Sequence, residues 1–352
     1  MASEHLIKDL IAAVEQQNAS DLHLGEGRVP SARISSLLIP LEKFGVLSRD
    51  DLGTILEDIL PTGKKDEFLK NKEVDFSYAT HNIRFRGNAF FQQGQIGIAL
   101  RLIPKHIRTL EELRLPGILE TFTRRTQGFF LVVGPVGQGK STTLASMVEL
   151  INQERPEHIL TIEDPIEYQY EPKKSIIDQR EIGIDTNDFH TALVSMVRQD
   201  INVVLLGEMR DPETISAAVT AAETGHLVFS TLHTNNAPQT IDRIIDSFPS
   251  SQQPQIRTQL SSSLSGIFSQ RLIPRIAGGV VPAYELLITN TAVSNLIRES
   301  RTHEIPSVIE TGSQDGMIDF NRSLADLVRA GEITVENAYH HSLNPKILEK
   351  LL

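Results

Sequence analysis

The first hundred residues alternate between short helical and short strand-like patterns. Leu6, Leu10 and Val14 recur at helical spacing, and a strand-like segment follows at residues 21–24. A second amphipathic helix is predicted over residues 50–60, because its periodic apolar positions stop just before a proline. These short elements predict a small unit of mixed α+β structure.

The clearest local signal in this part of the chain is a β-hairpin over residues 83–103. Apolar residues alternate with Arg84 and Arg86 on its first strand, and with Arg101 on its second strand. One face of the hairpin is therefore apolar, and the other face carries guanidinium groups. With the hairpin as its last element, the first unit is predicted to cover residues 1–104.

In the second half of the chain the pattern changes to short apolar strands separated by helices. This order predicts an α/β fold with a parallel sheet and helical crossovers. Four strands are predicted, at residues 129–133, 159–162, 203–206 and 227–231. We predict a linker with a short helix at residues 105–116, an α/β domain at 117–288 and a polar helical region at 289–352.

A glycine-rich segment follows the first of these strands and opens a helix. Residues 134–142 match the phosphate-loop pattern G-x-x-x-x-G-K-[ST], whose glycines let backbone N–H groups surround a phosphate. Lys140 supplies a charge to the β- and γ-phosphates, and the Ser141 hydroxyl can ligate Mg²⁺. The candidate nucleotide-binding residues are Gly134, Pro135, Val136, Gly137, Gln138, Gly139, Lys140, Ser141 and Thr142.

Acidic residues follow two of the other predicted strands. Glu163 and Asp164 come directly after the strand at 159–162, and Glu208 comes soon after the strand at 203–206. Ligands of an open parallel sheet sit at the carboxyl ends of its strands. These acids are therefore candidates to bind Mg²⁺ or to activate the attacking water.

Two histidines bracket the strand at residues 227–231. A metal site formed by His226 and His233 is disfavoured, because no third ligand lies nearby in the sequence and the chain has no cysteine. His233 follows the strand, a position that suits a neutral histidine that senses the γ-phosphate or positions water. For His226, a structural role and a role in the nucleotide site are both left open.

Composition narrows the function classes. The 352 residues contain no cysteine, which excludes a disulfide scaffold, a thiol nucleophile and a sulfur-based zinc site. Asp and Glu (45) outnumber Lys and Arg (34), and this acidic balance argues against general nucleic-acid binding. The N-terminus lacks a signal-peptide pattern, and the apolar runs are far shorter than the roughly 20 residues of a membrane span. We therefore expect a cytoplasmic protein that reaches the inner membrane only through partners.

Five motifs together resemble those of the ATPases of type IV pilus and type II secretion systems, and within that family those of the pilus retraction motors. They are the phosphate loop at residues 134–142, an Asp-box segment at 159–168, an atypical Walker B segment at 207–211, a His-box segment at 220–234 and Ser-Asp-Leu-His-Leu at 20–24. The resemblance implies a RecA-like P-loop NTPase core, a smaller PAS-like N-terminal domain and a homohexameric ring.

The resemblance also implies roles for individual residues. ATP and Mg²⁺ would be the cofactors, with Ser141 and Asp164 close to the metal. Glu208 would be the catalytic acid, and two arginines of the N-terminal domain would neutralise charge at the nucleotide. The expected catalytic residues are thus Glu208, Glu163, His233, Arg86 and Arg101, and His226 joins the expected nucleotide-binding residues.

Three functions compete at this point. The first is a motor that converts ATP hydrolysis into type IV pilus retraction, acting on an integral inner-membrane platform protein of the pilus base. The second is a pilus assembly or type II secretion ATPase, against which the compact, cysteine-free chain argues. The third is an accessory ring that hydrolyses weakly, against which the intact Lys140, Ser141 and Glu208 argue. Ser294 stands where the resemblance would place an arginine of retraction motors, which leaves retraction itself open.

Overall fold

The computed structural model describes residues 6–34, 37–80, 83–104 and 106–352, and the chain divides into two units. One unit holds Met1–Lys105 together with Pro165–Gln169, and the other holds His106–Asp164 and Tyr170–Leu352. Each unit has a hydrophobic core of its own. Lys105, where the predicted linker begins, lies outside the described residues.

The described part of the N-terminal unit is an antiparallel sheet of six strands with three helices. Its helices are α1 (Leu6–Gln16), α2 (Arg49–Ile59) and α3 (Lys64–Asn71). Its strands are β1 (Asp21–Gly25), β2 (Ser31–Ile34), β3 (Leu37–Pro40), β4 (Glu73–Ala79), β5 (Arg84–Gln92) and β6 (Gln95–Ile103), in the order β3-β2-β1-β6-β5-β4. The two predicted helices, the first strand and the hairpin are confirmed, whereas β2, β3, β4 and α3 have no counterpart in the prediction.

Local chemistry explains where α2 begins. The Ser48 hydroxyl accepts a hydrogen bond from the Asp51 N–H, while the Asp51 carboxylate accepts one from the Ser48 N–H. This capping box satisfies two N–H groups that would otherwise lack partners at the helix start. The buried face of α2 then joins Leu22 of β1 and Leu100 of β6 in the core of the unit.

The other face of the N-terminal sheet carries a row of charged residues. Arg33 and Arg101 flank Asp21 in the register of β2, β1 and β6, and Arg86 lies opposite Arg101 on β5. Arg101 Nε donates a hydrogen bond of 2.9 Å to Asp21 Oδ1. The alternation predicted for the hairpin is confirmed, and it places Arg86 and Arg101 side by side on the exposed face of the sheet.

A seven-stranded sheet forms the centre of the second unit. Its strands are β7 (Gly128–Val133), β8 (His158–Glu163), β9 (Ile176–Glu181), β10 (Val203–Leu206), β11 (Leu227–Leu232), β12 (Leu264–Pro274) and β13 (Val280–Ile288), in the order β13-β12-β7-β11-β10-β8-β9. The pairs from β12 to β9 are parallel, and β13 is antiparallel to β12. The predicted parallel sheet is confirmed, and β9, β12 and β13 extend it.

Helices surround this sheet and form the C-terminal region. Those of the sheet are α4 (Leu119–Thr123), α5 (Lys140–Glu154), α6 (Phe189–Met196), α7 (Pro212–Glu223), α8 (Ala237–Asp246) and α9 (Gln253–Ser263). Those of the C-terminal region are α10 (Thr291–Arg298), α11 (Ile305–Thr311), α12 (Phe320–Arg329), α13 (Val335–His341) and α14 (Pro345–Leu351), so the predicted helical region is confirmed. Within the described residues, no helix is both long and apolar enough to cross a membrane.

The short helix predicted within residues 105–116 is not formed in the described part of that segment. Thr109 N donates to Glu112 Oε2 at 2.7 Å, and Glu112 N donates to Thr109 Oγ1 at 3.2 Å, as at the start of a helix. Arg114 then adopts a positive φ of 56°, a conformation that ends a helix. The segment closes after a single turn, so this prediction was wrong.

Candidate active site

The phosphate loop joins the carboxyl end of β7 to the first turn of α5. Gly134, Gly137 and Gly139 have φ angles of 148°, 76° and 79°, which side chains other than glycine adopt only with strain. Because α5 begins at Lys140, the free N–H groups of its first turn converge with those of the loop. The loop therefore has the backbone geometry that binds phosphate.

The Lys140 ammonium group lies inside this loop and is buried, with 8% of the residue exposed. Its Nζ donates hydrogen bonds of 2.9 Å to the carbonyl oxygens of Gly134 and Pro135. The same Nζ lies 3.2 Å from Nδ1 of His233, at the end of β11. These acceptors hold the lysine at the loop, and phosphate oxygens can replace them.

His233 connects Lys140 to Glu208. Because a lysine ammonium only donates, Nδ1 of His233 accepts from it, and the ring proton lies on Nε2, 3.6 Å from Glu208 Oε2. Burial and then the charge of Lys140 lower the pKa of His233 below its ordinary value, so the ring is neutral near pH 7. Glu208 is also ion-paired with Arg210. Lys140, His233 and Glu208 thus form a polar chain along the edge of the sheet.

Glu163 and Asp164 lie at the end of β8, which is adjacent and parallel to β10. Glu163 is buried, and its carboxylate accepts a 2.7 Å hydrogen bond from Thr161 Oγ1. Glu208 and, to a smaller extent, Asp164 raise the pKa of Arg210. The structure therefore brings all three predicted acids to the same sheet edge as the phosphate loop.

His226 does not lie at this edge. It precedes β11 while His233 follows it, and the seven residue steps between them, at about 3.3 Å each, separate the two histidines by about 23 Å. The Nδ1 of His226 lies 3.0 Å from the carbonyl oxygen of Ala221 in the last turn of α7. His226 therefore lies away from the phosphate loop of its own chain, and this contact favours the structural role. Its place among the nucleotide-binding residues stays a prediction.

The remaining predicted residues differ in what they offer a nucleotide. Ser141 and Thr142 are half-buried in the first turn of α5, whereas Val136 is exposed at the tip of the loop. The side chain of Gln138 is engaged outside the loop, since its Oε1 accepts a 2.7 Å hydrogen bond from Leu272 N. Arg86 and Arg101, described above, belong to the N-terminal unit.

The contribution of β12 to the site has no signal in the sequence pattern. Gln270 on this strand donates to the carbonyl oxygen of Gln138 and accepts from Thr143, each at 2.7 Å. A cavity of about 250 Å³ lies against Gly139 and Thr142. Its other walls include Arg108, Leu113, Leu115, Leu272, Arg275 and Pro282. The apolar residues of 264–288 do not alternate with polar ones, so this stretch lacks the pattern that predicts a half-buried strand, and no motif singles out Gln270.

Glu285 holds the segment that follows His233. It lies on β13 and is buried, and its Oε1 accepts a 2.8 Å hydrogen bond from the N–H of Ala237, the first residue of α8. Burial, with a smaller contribution from Asp319, raises the pKa of Glu285 to about 7. The loop that carries His233 therefore ends at a carboxyl group that changes its charge near neutral pH.

Glu285→Gln is expected to remove a pH dependence of stability. The carboxyl has a pKa of about 7 in the folded chain and an ordinary value of 4.5. The folded state therefore binds the proton more tightly, and its free energy of unfolding falls as the pH rises through this interval, by roughly 3 kcal/mol. Urea unfolding at mildly acidic and mildly basic pH measures the decline, which the exposed control Glu336→Gln should keep. An equal decline in Glu285→Gln would contradict this reading.

Comparisons with known proteins now identify the family. A family model described as type II/IV secretion system protein matches residues 49–313. The type IV pilus retraction ATPase PilT of Pseudomonas aeruginosa is 42% identical, over 97% of this chain and 99% of its own. A twitching motility protein of Neisseria gonorrhoeae is 46% identical, over 85% of this chain and 80% of its own.

A solved structure agrees with the fold and with the nucleotide site. The crystal structure of the pilus retraction motor PilT with bound ADP matches with a TM-score of 0.90 and 45% identity, over 97% of this chain and 98% of that chain. The phosphate loop described above has the geometry to hold such a nucleotide, and the P-loop α/β fold is shared. The chain belongs to the type II/IV secretion system protein family, and it is an ATP-binding ATPase.

Proposed function

We propose that this chain is the subunit of a hexameric motor that uses ATP hydrolysis to retract type IV pili. The observation that carries the proposal is the polar chain from Lys140 through His233 to Glu208, because it connects the phosphate loop to an acid at the same sheet edge. Similarity to a retraction ATPase and to a twitching motility protein, over most of both chains, supports the pilus as the machine that is driven.

Hydrolysis needs a group that takes a proton from the attacking water, and Glu208 suits this role. Its carboxylate lies at the sheet edge between His233 and Arg210. The Nε2–H of the neutral His233 points toward this carboxylate and helps to orient it. When phosphate oxygens replace the carbonyl oxygens of the loop as hydrogen-bond acceptors of Lys140, the contact between Lys140 and His233 changes as well. His233 would thus couple nucleotide binding to the position of Glu208.

The oxygen donors at this edge fit Mg²⁺. The Ser141 hydroxyl and the Asp164 carboxylate are ligands of the type that Mg²⁺ prefers, and the ion usually keeps water and phosphate oxygens as its other ligands. Among the described residues, no group of three or more His, Cys, Asp or Glu could hold a metal ion without such help. When bound, the ion neutralises charge on the β- and γ-phosphates.

The cavity beside the phosphate loop suits the nucleoside part of ATP. It borders Gly139 and Thr142, so a nucleotide whose phosphates lie in the loop would direct its sugar and base into this space. Leucine and proline side chains on the walls offer apolar contacts to a base, and arginines of the lining offer hydrogen-bond donors. We therefore assign this cavity to the base and ribose.

The phosphate loop itself supplies no positive charge on the far side of the γ-phosphate. In phosphoryl transfer an arginine in that position is worth roughly 10³–10⁵ in rate. Arg86 and Arg101 suit the role, because both are exposed on the polar face of the N-terminal sheet. We propose that they act on the nucleotide of a neighbouring subunit in the ring. ATP binding would then move one subunit relative to the next, as a motor requires.

The proposed partner is an integral inner-membrane platform protein at the base of the pilus. Such a protein would hold the ring at the cytoplasmic face of the membrane, where ATP is available. Movement between subunits of the ring could then be passed to the platform protein and so to the pilins.

Ser294 bears on the choice between retraction and assembly. Its Oγ on α10 donates a 2.8 Å hydrogen bond to the carbonyl oxygen of Ser261 on α9, and Arg298 donates to the Ser261 hydroxyl. The side chain at position 294 therefore faces a neighbouring helix. A serine there changes a contact between two helices, while Arg298 and Glu299 of the same segment stay exposed. Because the serine alters only this helix contact and the exposed residues of the segment are kept, we favour retraction over assembly.

Cells that lack the protein test the proposal. We expect an excess of surface pili and no twitching motility, because pilins would still be added but not removed. Re-expression of the wild type should restore normal pilus numbers, whereas Glu208→Gln should not. Loss of pili would favour a pilus assembly or secretion ATPase, and rescue by Glu208→Gln would favour a weakly hydrolysing accessory ring. Pili counted by electron microscopy distinguish these outcomes.

A further inference from the structure

Strand β12 runs past the end of its neighbour and alongside the phosphate loop. β7 and β12 pair in parallel as far as Val133 and Ser269, where β7 ends. β12 continues to Pro274, so Gln270 and Leu272 lie beside the loop that follows β7. The loop therefore has a strand as its outer wall.

The side chain of Gln270 is buried, with 3% of the residue exposed, and it makes two hydrogen bonds. Its Nε2 donates to the carbonyl oxygen of Gln138 at 2.7 Å, and its Oε1 accepts from Thr143 Oγ1 at 2.7 Å. The orientation of the amide follows from the chemistry, because a carbonyl oxygen only accepts and the NH₂ group must face it. One carboxamide thus connects the loop to the first turn of α5.

The bond to Gln138 also fixes the direction of a neighbouring N–H group. Gln138 and Gly139 share a peptide group, and because that group is planar and trans, the Gly139 N–H points opposite to the Gln138 C=O. Gln270 holds this C=O on the outside of the loop, so the N–H faces the inside, where phosphate binds. We propose that Gln270 is a positioning residue that keeps the Gly139 N–H directed at the α- and β-phosphates of the nucleotide.

Close packing between β12 and the loop supports this role. The side chain of Gln138 itself accepts a hydrogen bond from Leu272 N, so Gln138 is held to β12 through both its backbone and its side chain. A Cβ at Gly134 would collide with the carbonyl oxygen of Gln270, and a Cβ at Gly139 would lie 2.9 Å from Gln270 Nε2. The approach of the β12 backbone therefore requires glycine at position 134 in addition to its φ angle, and a side chain at position 139 would press on the Gln270 amide. The inference rests on nucleotide binding at this loop and deepens that part of the proposed function.

Gln270→Glu tests the orientation of the peptide. The variant keeps the side-chain length and the acceptor for Thr143, but a carboxylate places an oxygen against the carbonyl oxygen of Gln138. Near pH 8 we expect the dissociation constants of ADP and ATP both to rise about tenfold or more. At saturating ATP, kcat should fall less than about threefold, because the lost interaction stabilises the bound nucleotide and the transition state equally. Titration with fluorescent nucleotides and phosphate release measure the two quantities, and a loss of kcat with unchanged affinity would overturn the proposal.

A pH series separates this orienting role from simple packing. Protonation of the introduced carboxyl restores a donor toward Gln138, and burial raises the pKa of that carboxyl. The ADP affinity of Gln270→Glu, relative to wild type, should therefore recover to within about threefold near pH 6. Gln270→Met removes both hydrogen bonds without adding charge, and it should bind ADP weakly at both pH values. Equal weakening of Gln270→Glu at the two pH values would contradict the proposed role.

Controls keep the test decisive. Gln255 is an exposed residue on α9, so the variant Gln255→Glu should match the wild type in ADP affinity and in the rate of ATP hydrolysis. Circular dichroism shows whether each variant is folded. If Gln270→Glu is unfolded, folded Gln270→Met serves as the test instead. An ADP affinity in Gln270→Met equal to that of the wild type would then overturn the proposal. ADP binding does not require hydrolysis. A wild-type protein that binds ADP without turnover would therefore contradict the proposed function and leave the test of Gln270 intact.

Discussion

Glu208→Gln is expected to keep ATP bound and to reduce its turnover about 100-fold or more, since a general base contributes 10²–10⁴ in rate. The amide has nearly the size of the carboxylate and can still accept from the Nε2–H of His233, so the geometry around the phosphate loop is kept. It cannot take the proton of the attacking water. Equilibrium ATP binding and phosphate release, measured on the same preparation, separate the two effects.

A matched control for this variant lies five residues further along the chain. Glu213 is an exposed carboxylate at the start of α7, and Glu213→Gln should leave both binding and turnover unchanged. Loss of ATP binding in Glu208→Gln would show that this carboxylate holds the nucleotide rather than activating water. Turnover close to that of the wild type would move the general base to Glu163, at the end of the adjacent strand.

Lys140→Ala is expected to weaken ATP binding or turnover about tenfold or more, which corresponds to about 1.4 kcal/mol or more. The variant removes the one charge that lies inside the loop and faces the phosphates. It also removes a charge that lowers the pKa of His233. The pKa of this histidine should therefore rise in Lys140→Ala, which proton NMR measures independently of any nucleotide.

The control for this prediction is Lys346→Ala, because Lys346 is exposed near the C-terminus and far along the chain from the loop. It should bind and hydrolyse ATP as the wild type does. Wild-type turnover in Lys140→Ala would mean that residues 134–142 are not the active nucleotide site. An unchanged His233 pKa would contradict the contact between the two side chains.

Elements with a local chemical cause were predictable from the sequence. Asp211 caps α7 by accepting from Thr214 N, with Pro212 at the first helical position, and the sequence indicates all of this. The strands β12 and β13 were not predicted. β12 depends on pairing with β7, more than a hundred residues earlier, and such long-range pairing leaves little trace in a local pattern.

The candidate site likewise contains residues that the sequence predicts and residues that it does not. Lys140, Glu208 and His233 were predictable because acids and histidines after parallel strands meet the phosphate loop at one sheet edge. His226 belongs to the same motif, but it stands at the other end of β11. Gln270 could not be predicted, because its role comes from a backbone carbonyl 132 residues away and not from any residue type that marks catalysis.

The proposed motor needs one hydrolysis site that takes residues from two copies of the chain, because only then would ATP move one subunit against another. Mixed rings of Lys140→Ala and Arg101→Ala subunits test this most directly. Each variant alone should be nearly inactive. In rings verified to contain both, an intact Lys140 of one subunit can meet an intact Arg101 of its neighbour, so phosphate release should recover to a clear fraction of the wild-type rate. Mixed rings no more active than the separate variants, or full activity in a demonstrated wild-type monomer, would contradict the shared site.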